Sequence, residues 1–477
     1  MARSDNADPE VASTTPHGQP QESPSNPQRK RDRTSLVWMF SVFAAVVALV
    51  AAFGLVWQIS AVASPRTGTF TAPEAYPPAE PSAVLTASGA EAPVPDLASV
   101  MPELLSDPRF SGDLSAVFAD ALTGEVLFEQ EGATPMTPAS SLKVVTAVAA
   151  LTHLGAEYRI PTTVVEGPDE DSVVLVGGGD VALTVDGEGY YGEGASLTEL
   201  AEAVLEARDG VAPTTVYLDT SLFTDTVNAP GVPVSDLDIY TAPAAPLMLD
   251  GGRIDNTVHY TPHHQKPAVH AAEVFAGLLG AGEVAEGTAA EGAAELARVY
   301  SEPIAALADM LILTSDNELA DAVGFQTALA VEGEMTWAAI GRAHLATLES
   351  LGVDTTGLVF NDGSGLSPAN RITTNAFTQL LTAAVSSGAG SVFQSMPVSG
   401  WSGSLAERFD DAVAAEGEGS VRAKTGTLTG VSSLTGSVMT DAGRLVVFSM
   451  ISNGHANSVA VETAMDEVTT AVSLCGC

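Results

Sequence analysis

Short apolar runs separated by turn-forming residues predict strands near both ends of the globular part of the chain. Residues 114–129 have the pattern of a β-hairpin, with its turn at Asp120–Gly124. The C-terminal segment shows the same pattern and then a helical one. The strands predicted there cover residues 420–430, 434–439 and 444–452, and a closing helix lies within 458–474.

A long uncharged, mostly apolar run occupies residues 36–59. Its 24 residues carry no charge, and four basic residues at 29–33 precede it. The run is long enough to cross a bilayer of about 30 Å as a helix, and the basic cluster favours a cytoplasmic N-terminus. We therefore predict a single transmembrane signal anchor over 34–60, with the bulk of the chain extracytoplasmic and held at the cell membrane. The alternative is secretion after cleavage at Ala63, because Ala-Val-Ala is typical of a signal-peptide cleavage site.

Composition divides the rest of the chain. Residues 1–33 are polar and balanced in charge, as in a disordered cytoplasmic tail. Residues 61–97 are rich in Pro and Ala and predict an extracytoplasmic linker. The globular part follows from about residue 98 and is too long for one ordinary domain.

Charge and cysteine content exclude two classes of protein. The chain has 19 Lys and Arg against 59 Asp and Glu, a formal net charge of −40. Such a chain repels phosphate backbones, so we expect no nucleic-acid partner. The two cysteines, at 475 and 477, are too close to the C-terminus to organise a disulfide framework or a zinc site.

Ser140 and Lys143 are the first candidates for catalysis. The apolar pattern that follows predicts a helix ending at Gly155, with both side chains on one face near its start. This spacing suits a nucleophilic hydroxyl and an amine that removes its proton, and apolar surroundings favour the neutral amine. Alone, the pair has a structural alternative, in which Ser140 or Ser141 caps the helix and Lys143 reaches solvent.

A second candidate is the Ser315-Asp316-Asn317 segment, at a polar break between two helical patterns. Ser315 and Glu318 have the spacing of a capping box at the start of the next helix. Such a cap is compatible with the Ser315 hydroxyl and the Asn317 amide facing a cleft.

A third candidate is the segment Lys424-Thr425-Gly426-Thr427 on a predicted strand. It offers a cation and hydroxyls beside backbone that a ligand can approach closely. Its structural alternative is an ordinary strand with an exposed lysine. The chain has only four lysines, however, and two of them fall in these motifs.

The order S-x-x-K, S-D-N, K-T-G is typical of class A β-lactamases and penicillin-binding proteins. The first and second motif serines are 175 positions apart, and 109 positions separate Ser315 from Lys424. With this long first gap the chain resembles a low-molecular-mass class C penicillin-binding protein, of the D-alanyl-D-alanine carboxypeptidase/endopeptidase family. Further segments that resemble the family are Leu175–Asp180, Leu218–Phe223, Asn361–Ser367 and Met396–Gly400.

The resemblance implies an α/β (α+β) serine β-lactamase/transpeptidase-like fold, with an antiparallel sheet flanked by helices. This catalytic domain would comprise residues 98–161 and 269–477. Residues 162–268 would form one smaller, β-rich accessory domain inserted in it, whereas longer family members resembling this chain carry two.

The resemblance also implies acyl transfer on peptidoglycan stem peptides. Ser140 would attack the carbonyl of the penultimate D-Ala, Lys143 would act as general base, and Ser315 would relay the proton to the leaving amine. The backbone N–H groups of Ser140 and Thr427 would form the oxyanion hole. β-Lactam antibiotics would be covalent inhibitors.

Substrate binding would use the other motif residues. Asn317 would hold the substrate amide, Lys424 would supply positive potential, and Thr425 and Thr427 on either side of Gly426 would bind the terminal carboxylate. We expect no metal and no organic cofactor.

Two other functions stay open at this point. A β-lactamase shares the acylation step, but no E-x-x-L-N element follows Ser315 to supply a deacylating glutamate. A catalytically silent peptidoglycan-binding protein would not need all three motifs. Four histidines, at 259, 263, 264 and 270, suggest a zinc site, but no carboxylate or cysteine completes a standard ligand spacing.

Overall fold

The computed structural model describes residues 92–386 and 389–475. The predicted tail and anchor, and nearly all of the predicted linker, lie outside these residues. Within the described ranges no helix is both long and apolar enough to span a membrane.

The secondary structure of the described residues alternates between sheet strands and helices. The strands are β1 Asp113–Asp120, β2 Val126–Gln130, β3 Pro161–Glu166, β4 Ser172–Val176, β5 Asp180–Leu183, β6 Glu188–Gly189, β7 Gly192–Glu193, β8 Thr215–Asp219, β9 Leu247–Leu249, β10 Glu283–Glu286, β11 Glu295–Tyr300, β12 Val421–Leu428, β13 Val431–Met439 and β14 Leu445–Asn453. The α-helices are α1 Leu97–Leu104, α2 Lys143–His153, α3 Leu197–Ala207, α4 Pro267–Leu279, α5 Ile304–Thr314, α6 Asn317–Glu332, α7 Trp337–Ser350, α8 Thr374–Ser386, α9 Val392–Ser395 and α10 Ser458–Ser473. Short 3-10 turns occupy Ala139–Leu142, Asp250–Gly252, Gly403–Leu405 and Ala414–Gly417.

The first sheet joins the two ends of the globular part. Its order is β12-β13-β14-β1-β2, and each neighbouring pair is antiparallel. The predicted hairpin, the C-terminal strands and the closing helix are confirmed. Successive side chains of β14 enter different cores: Val447 and Ile451 lie on the side of helix α8, whereas Phe448 and Met450 pack with residues of α10. Helices thus cover both faces of this sheet.

Helix α2 lies at the centre of the helical layer, in contact with α5, α6 and α7. Every residue from Lys143 to Leu151 is buried. Lys143 is therefore enclosed by protein, and Lys424 on β12 is also fully buried. Lysine is almost never fully buried unless it has partners, so both side chains point to a specific site.

The second sheet, of order β10-β8-β4-β3-β11, is built from residues 161–300, with α3 and α4 packed on it. β4, β8 and β10 are parallel, while β3 pairs antiparallel with β4 and β11. We predicted that the accessory segment ends at residue 268, but the sheet continues through β10 and β11. β10 has only four residues, two of them Glu, and the six residues of β11 do not alternate between apolar and polar. Neither segment therefore has a clear strand pattern, and pairing with β8 and β3 decides their structure.

Candidate active site

Ser140 lies in the 3-10 turn that leads into α2, and Lys143 is the first residue of that helix. The Nζ atom of Lys143 is 3.0 Å from Ser140 Oγ. The turn requires a left-handed backbone at Ala139, with φ 49°, which is costly for a residue with a Cβ. Gly365 lies on the loop that faces Ala139. A Cβ at position 365 would lie 2.0 Å from the Ala139 carbonyl oxygen, so this position requires glycine.

The ammonium of Lys143 has two further acceptors. Its Nζ donates to Asn317 Oδ1 and to the Ser364 carbonyl oxygen, each at 2.7 Å. Burial lowers the pKa of Lys143 to about 8, against the attraction of nearby carboxylates, chiefly Asp321 and Asp316. The predicted desolvation of this lysine is confirmed, and its hydrogen bonds aim it at the serine hydroxyl.

A buried carboxylate, Asp362, shapes the loop that presents the Ser364 carbonyl. Asp362 accepts hydrogen bonds from the N–H groups of Gly365 at 2.9 Å and Ser367 at 2.6 Å, and from Asn370 Nδ2 at 2.8 Å. Burial raises the pKa of this carboxyl in spite of these donors. The segment resembled the family in sequence, but only the fold shows that it reaches Lys143.

Ser315, Asp316 and Asn317 form the sharp turn between α5 and α6. Ser315 ends α5 in a left-handed conformation, with φ 63°. Asp316, and not Ser315, caps α6: its carboxylate accepts from the Leu319 N–H at 2.9 Å. The predicted Ser315–Glu318 capping box is therefore wrong, because Ser315 belongs to the preceding helix end and Glu318 accepts from the N–H of Ala242 instead.

Arg253 supports this turn from a distant part of the chain. Its guanidinium lies 2.5 Å from the Asp316 carboxylate, and the hydroxyl of Tyr191 bonds to both side chains at 2.9 Å. The guanidinium also lies over the ring of Tyr190, 3.9 Å from its centroid. Burial alone would raise the pKa of Asp316, but Arg253 and the helix cap hold it below its usual range. The sequence carries no local signal for Arg253.

Lys424 on β12 forms a second lysine–serine pair, with Ser315. Its Nζ donates to Ser315 Oγ and to the Thr425 carbonyl oxygen, each at 2.8 Å. Burial, with the charge of Lys143, lowers the pKa of Lys424 well below its usual value. The hydroxyl of Thr425 lies 2.6 Å from that of Ser404.

Glycine at 426 allows β12 to approach the nucleophile. A Cβ there would lie 2.4 Å from Ser433 Oγ, 2.6 Å from the Pro138 carbonyl oxygen and 2.9 Å from the Ser140 nitrogen. Ser141, the neighbour of the nucleophile, bonds instead to Ser433 Oγ at 2.8 Å. Its hydroxyl therefore has a structural role.

The hydroxyl of Thr427 is engaged by a residue that sequence reasoning missed. Thr427 Oγ1 donates to Glu462 Oε1 at 2.7 Å, from the first turns of α10. Arg408 holds the same helix through an ion pair of 2.6 Å with Asp466 and a hydrogen bond to the Glu462 carbonyl. A negative side chain thus stands beside the expected carboxylate position.

One cleft exposes most of these side chains. Ser140, Ser315, Thr425 and Thr427 line it, while Lys143, Lys424 and Gly426 lie buried beneath, and Asn317 reaches Lys143. The structure thus brings the three sequence motifs together. The other residues that line the cleft are His259, Tyr260, Leu313, Thr314, Gly403, Ser404, Arg408 and Glu462.

The four histidines from 259 to 270 have separate partners. His259 contacts the Tyr190 hydroxyl, His263 Nδ1 lies 2.6 Å from the Asp238 carbonyl oxygen, and the rings of His264 and His270 stack at 3.8 Å. Among the described residues, no group of three or more His, Cys, Asp or Glu side chains has the arrangement of a metal site.

The chain is similar in sequence to a known family and to known carboxypeptidases. The family described as D-Ala-D-Ala carboxypeptidase 3 (S13) matches residues 97–279 and 263–472. A carboxypeptidase of Mycobacterium tuberculosis is 34% identical over 94% of this chain and 99% of its own, and the carboxypeptidase DacB of Mycolicibacterium smegmatis is equally similar over the same shares.

Among solved structures, penicillin binding protein 4 from Haemophilus influenzae is similar with a TM-score of 0.66 at 18% identity, over 78% of this chain and 99% of that one. The same protein in complex with a β-lactam gives a TM-score of 0.58 at 19% identity, over 79% and 99%. At these identities the likeness shows a shared fold.

Proposed function

The chain belongs to the D-Ala-D-Ala carboxypeptidase 3 (S13) family of serine-type peptidases, and from this premise we propose that it releases D-Ala from peptidoglycan stem peptides through an acyl-enzyme on Ser140. The acyl group would be the stem peptide ending in the penultimate D-Ala, and water would then release it. The same cleft would accept β-lactams as covalent inhibitors.

The observation that carries this proposal is the 3.0 Å contact between Ser140 Oγ and the buried Nζ of Lys143. A general base must lie within hydrogen-bond reach of the proton it takes and needs a pKa near the working pH. Burial brings the pKa of Lys143 to about 8. Roughly a tenth of the amine is then neutral at pH 7, far more than at the ordinary lysine pKa. Asn317 and the Ser364 carbonyl orient the amine while its lone pair faces Ser140.

The second lysine–serine pair would serve the leaving group. Lys424 donates to Ser315 Oγ, so a proton can pass through the Ser315 hydroxyl to the departing amine. A substrate carboxylate bound by Thr425 would favour the charged form of Lys424, because an opposite charge raises the pKa of an amine. Asn317 would hold the substrate amide, and the N–H groups of Ser140 and Thr427 would stabilise the tetrahedral oxyanion.

We place this reaction outside the cytoplasm, where stem peptides lie. The signal anchor at 34–60 and the linker at 61–97 would hold the enzyme at the membrane, with secretion after Ala63 as the alternative. The strands of the second sheet support an accessory domain of about 161–300 rather than 162–268, inserted between the two parts of the catalytic domain.

The proposal is tested by intact-mass spectrometry of the full-length chain incubated with benzylpenicillin. We expect one adduct per chain, on the peptide that contains Ser140, which lasts for hours. Ser140→Ala should remove the adduct. Ser141→Ala is the matched control: it removes a neighbouring buried hydroxyl, costs about 1 kcal/mol of stability, and should leave the adduct in place.

Other outcomes point to the other functions. An adduct that decays within seconds would favour a β-lactamase. Absence of any adduct on folded protein, with stem-peptide binding intact, would favour a silent peptidoglycan-binding protein.

A further inference from the structure

The turn that contains Trp401 stands at the rim of the catalytic cleft and exposes an indole to solvent. Trp401 is 83% exposed, the most exposed of the aromatic side chains in the described ranges. It does not itself line the cleft, but Gly403 and Ser404, two and three residues later, do. Trp side chains are enriched at interfaces, because the ring buries a large apolar area while its N–H can stay hydrogen-bonded.

This turn is rigid. The Trp401 N–H donates to the Val398 carbonyl at 3.0 Å, and the Gly400 N–H donates to the Leu405 carbonyl at 3.0 Å. The hydroxyl of Ser402 accepts from the Val398 N–H at 3.0 Å. The indole is therefore held out by an ordered backbone, which lowers the entropy cost of binding to it.

The turn is also fastened to both walls of the cleft. Ser404 Oγ lies 2.6 Å from Thr425 Oγ1, on the strand that carries the second lysine. On the other side, Gly403 packs closely on Leu313, two residues before Ser315. A Cβ at Gly403 would lie 2.6 Å from the Leu313 carbonyl oxygen. Trp401 thus lies three residues before Ser404, which lines the cleft next to Thr425.

Under the proposed function, on which this inference rests, the part of the cleft at Thr425 and Ser404 receives the leaving residue, because Thr425 would bind its carboxylate. A single D-Ala ends at the carboxylate that Thr425 would bind. A leaving group that is itself a stem peptide would extend further. We propose that Trp401 binds the aliphatic part of a leaving stem peptide and so favours cleavage of cross-linked peptidoglycan over removal of a terminal D-Ala.

The test compares two substrates on the full-length enzyme: a monomeric stem peptide that ends in D-Ala-D-Ala, and a cross-linked dimer of stem peptides. Trp401→Ala should lower kcat/KM for the dimer by about tenfold, mainly through KM, and leave release of terminal D-Ala within about twofold. Trp401→Phe should keep most of the dimer activity. Tyr300→Ala, an exposed aromatic on β11, is the matched control and should change neither.

Several results would overturn this inference while leaving the proposed function intact. These are an unchanged dimer rate in Trp401→Ala, an equal loss on both substrates, or a wild-type enzyme that acts on the monomer alone. Failure of the proposed function looks different: the wild type would process neither substrate and would form no benzylpenicillin adduct.

Discussion

The guanidinium of Arg253 and the carboxylate of Asp316 form an ion pair of 2.5 Å in which the two side chains are 2% and 0% exposed. Asp316 stands between Ser315 and Asn317, and it caps helix α6. A residue outside the three motifs therefore fixes the turn that presents two of the proposed site residues.

Replacing Arg253 by Met should leave a buried, uncompensated carboxylate. We expect a loss of about 3–5 kcal/mol in the free energy of unfolding, together with slower acylation by benzylpenicillin because the turn loses its support. Urea unfolding and stopped-flow acylation measure the two effects.

The Arg253→Met result has two controls. Arg342→Met removes an exposed ion pair with Glu332 and should change neither quantity measurably. The double variant Arg253→Met/Asp316→Asn should regain part of the stability, since the amide needs no counter-charge and still caps the helix. No recovery would contradict an electrostatic role for Arg253.

The pH dependence of acylation should follow Lys143. The neutral amine is the base, and burial lowers its pKa from 10.5 to about 8. The acylation rate should therefore rise with pH, about tenfold per pH unit below 8, and level off above it. Stopped-flow measurement from pH 6 to 10 tests this. Lys143→Met should lose most of the acylation rate and the rise of that rate with pH. If the rise survives in this variant, a group other than Lys143 causes it.

The lowered pKa of Lys143 also affects the free energy of unfolding. Between about pH 8 and 10.5 the unfolded chain keeps a proton on Lys143 that the folded chain has released. Stability should therefore gain from this group as pH rises through that window. The gain should be absent in Lys143→Met, which urea unfolding at pH 7.5 and 10 measures.

Glu462 should weaken binding of anionic ligands. Its carboxylate accepts from the Thr427 hydroxyl and stands beside the proposed carboxylate site. Glu462→Gln should raise kcat/KM for a substrate ending in D-Ala-D-Ala by roughly threefold to tenfold at low salt, and the gain should shrink as ionic strength rises.

A second variant separates charge from the hydrogen bond in that experiment. Thr427→Val removes the same hydrogen bond but keeps the charge, so it should not reproduce the salt-dependent gain. A lower rate in Glu462→Gln that does not respond to salt would show that the carboxylate only positions Thr427.

Gly426→Ala should damage the site more than the fold. The added Cβ meets the Pro138 carbonyl oxygen at 2.6 Å and the Ser140 nitrogen at 2.9 Å, so the backbone that carries the nucleophile must move. We expect a stability loss of about 1–3 kcal/mol and a fall in the acylation rate of about a hundredfold. Gly277→Ala is the control, because its Cβ meets no atom within 4 Å and helix α4 gains propensity. An acylation rate near wild type in Gly426→Ala would show that the strand can retreat without disturbing Ser140.

Much of the fold could be predicted because its signals are local. The hairpin of β1 and β2, the start of α2 at the first motif, and the C-terminal strands each depend on turn residues and apolar runs that neighbours in sequence supply. β10 and β11 lacked such signals, since Glu283–Glu286 has only four residues and Glu295–Tyr300 does not alternate between apolar and polar residues. Their strand character comes from pairing with β8 and β3.

The candidate site divides in the same way. By itself the sequence determined the three motifs, the apolar helix that buries Lys143, and the family that these features resemble. These features could be recognised because lysine is rare in the chain and the motif residues have fixed local spacings. Only the tertiary structure decided that Asp316 rather than Ser315 caps α6, that Arg253 pairs with it, and that Glu462 takes the hydroxyl of Thr427. For the last two contacts the physical reason is distance along the chain: Arg253 lies 63 residues from Asp316 and Glu462 lies 35 from Thr427. Contacts at such separations are set by how sheets and helices pack, not by any period in the sequence.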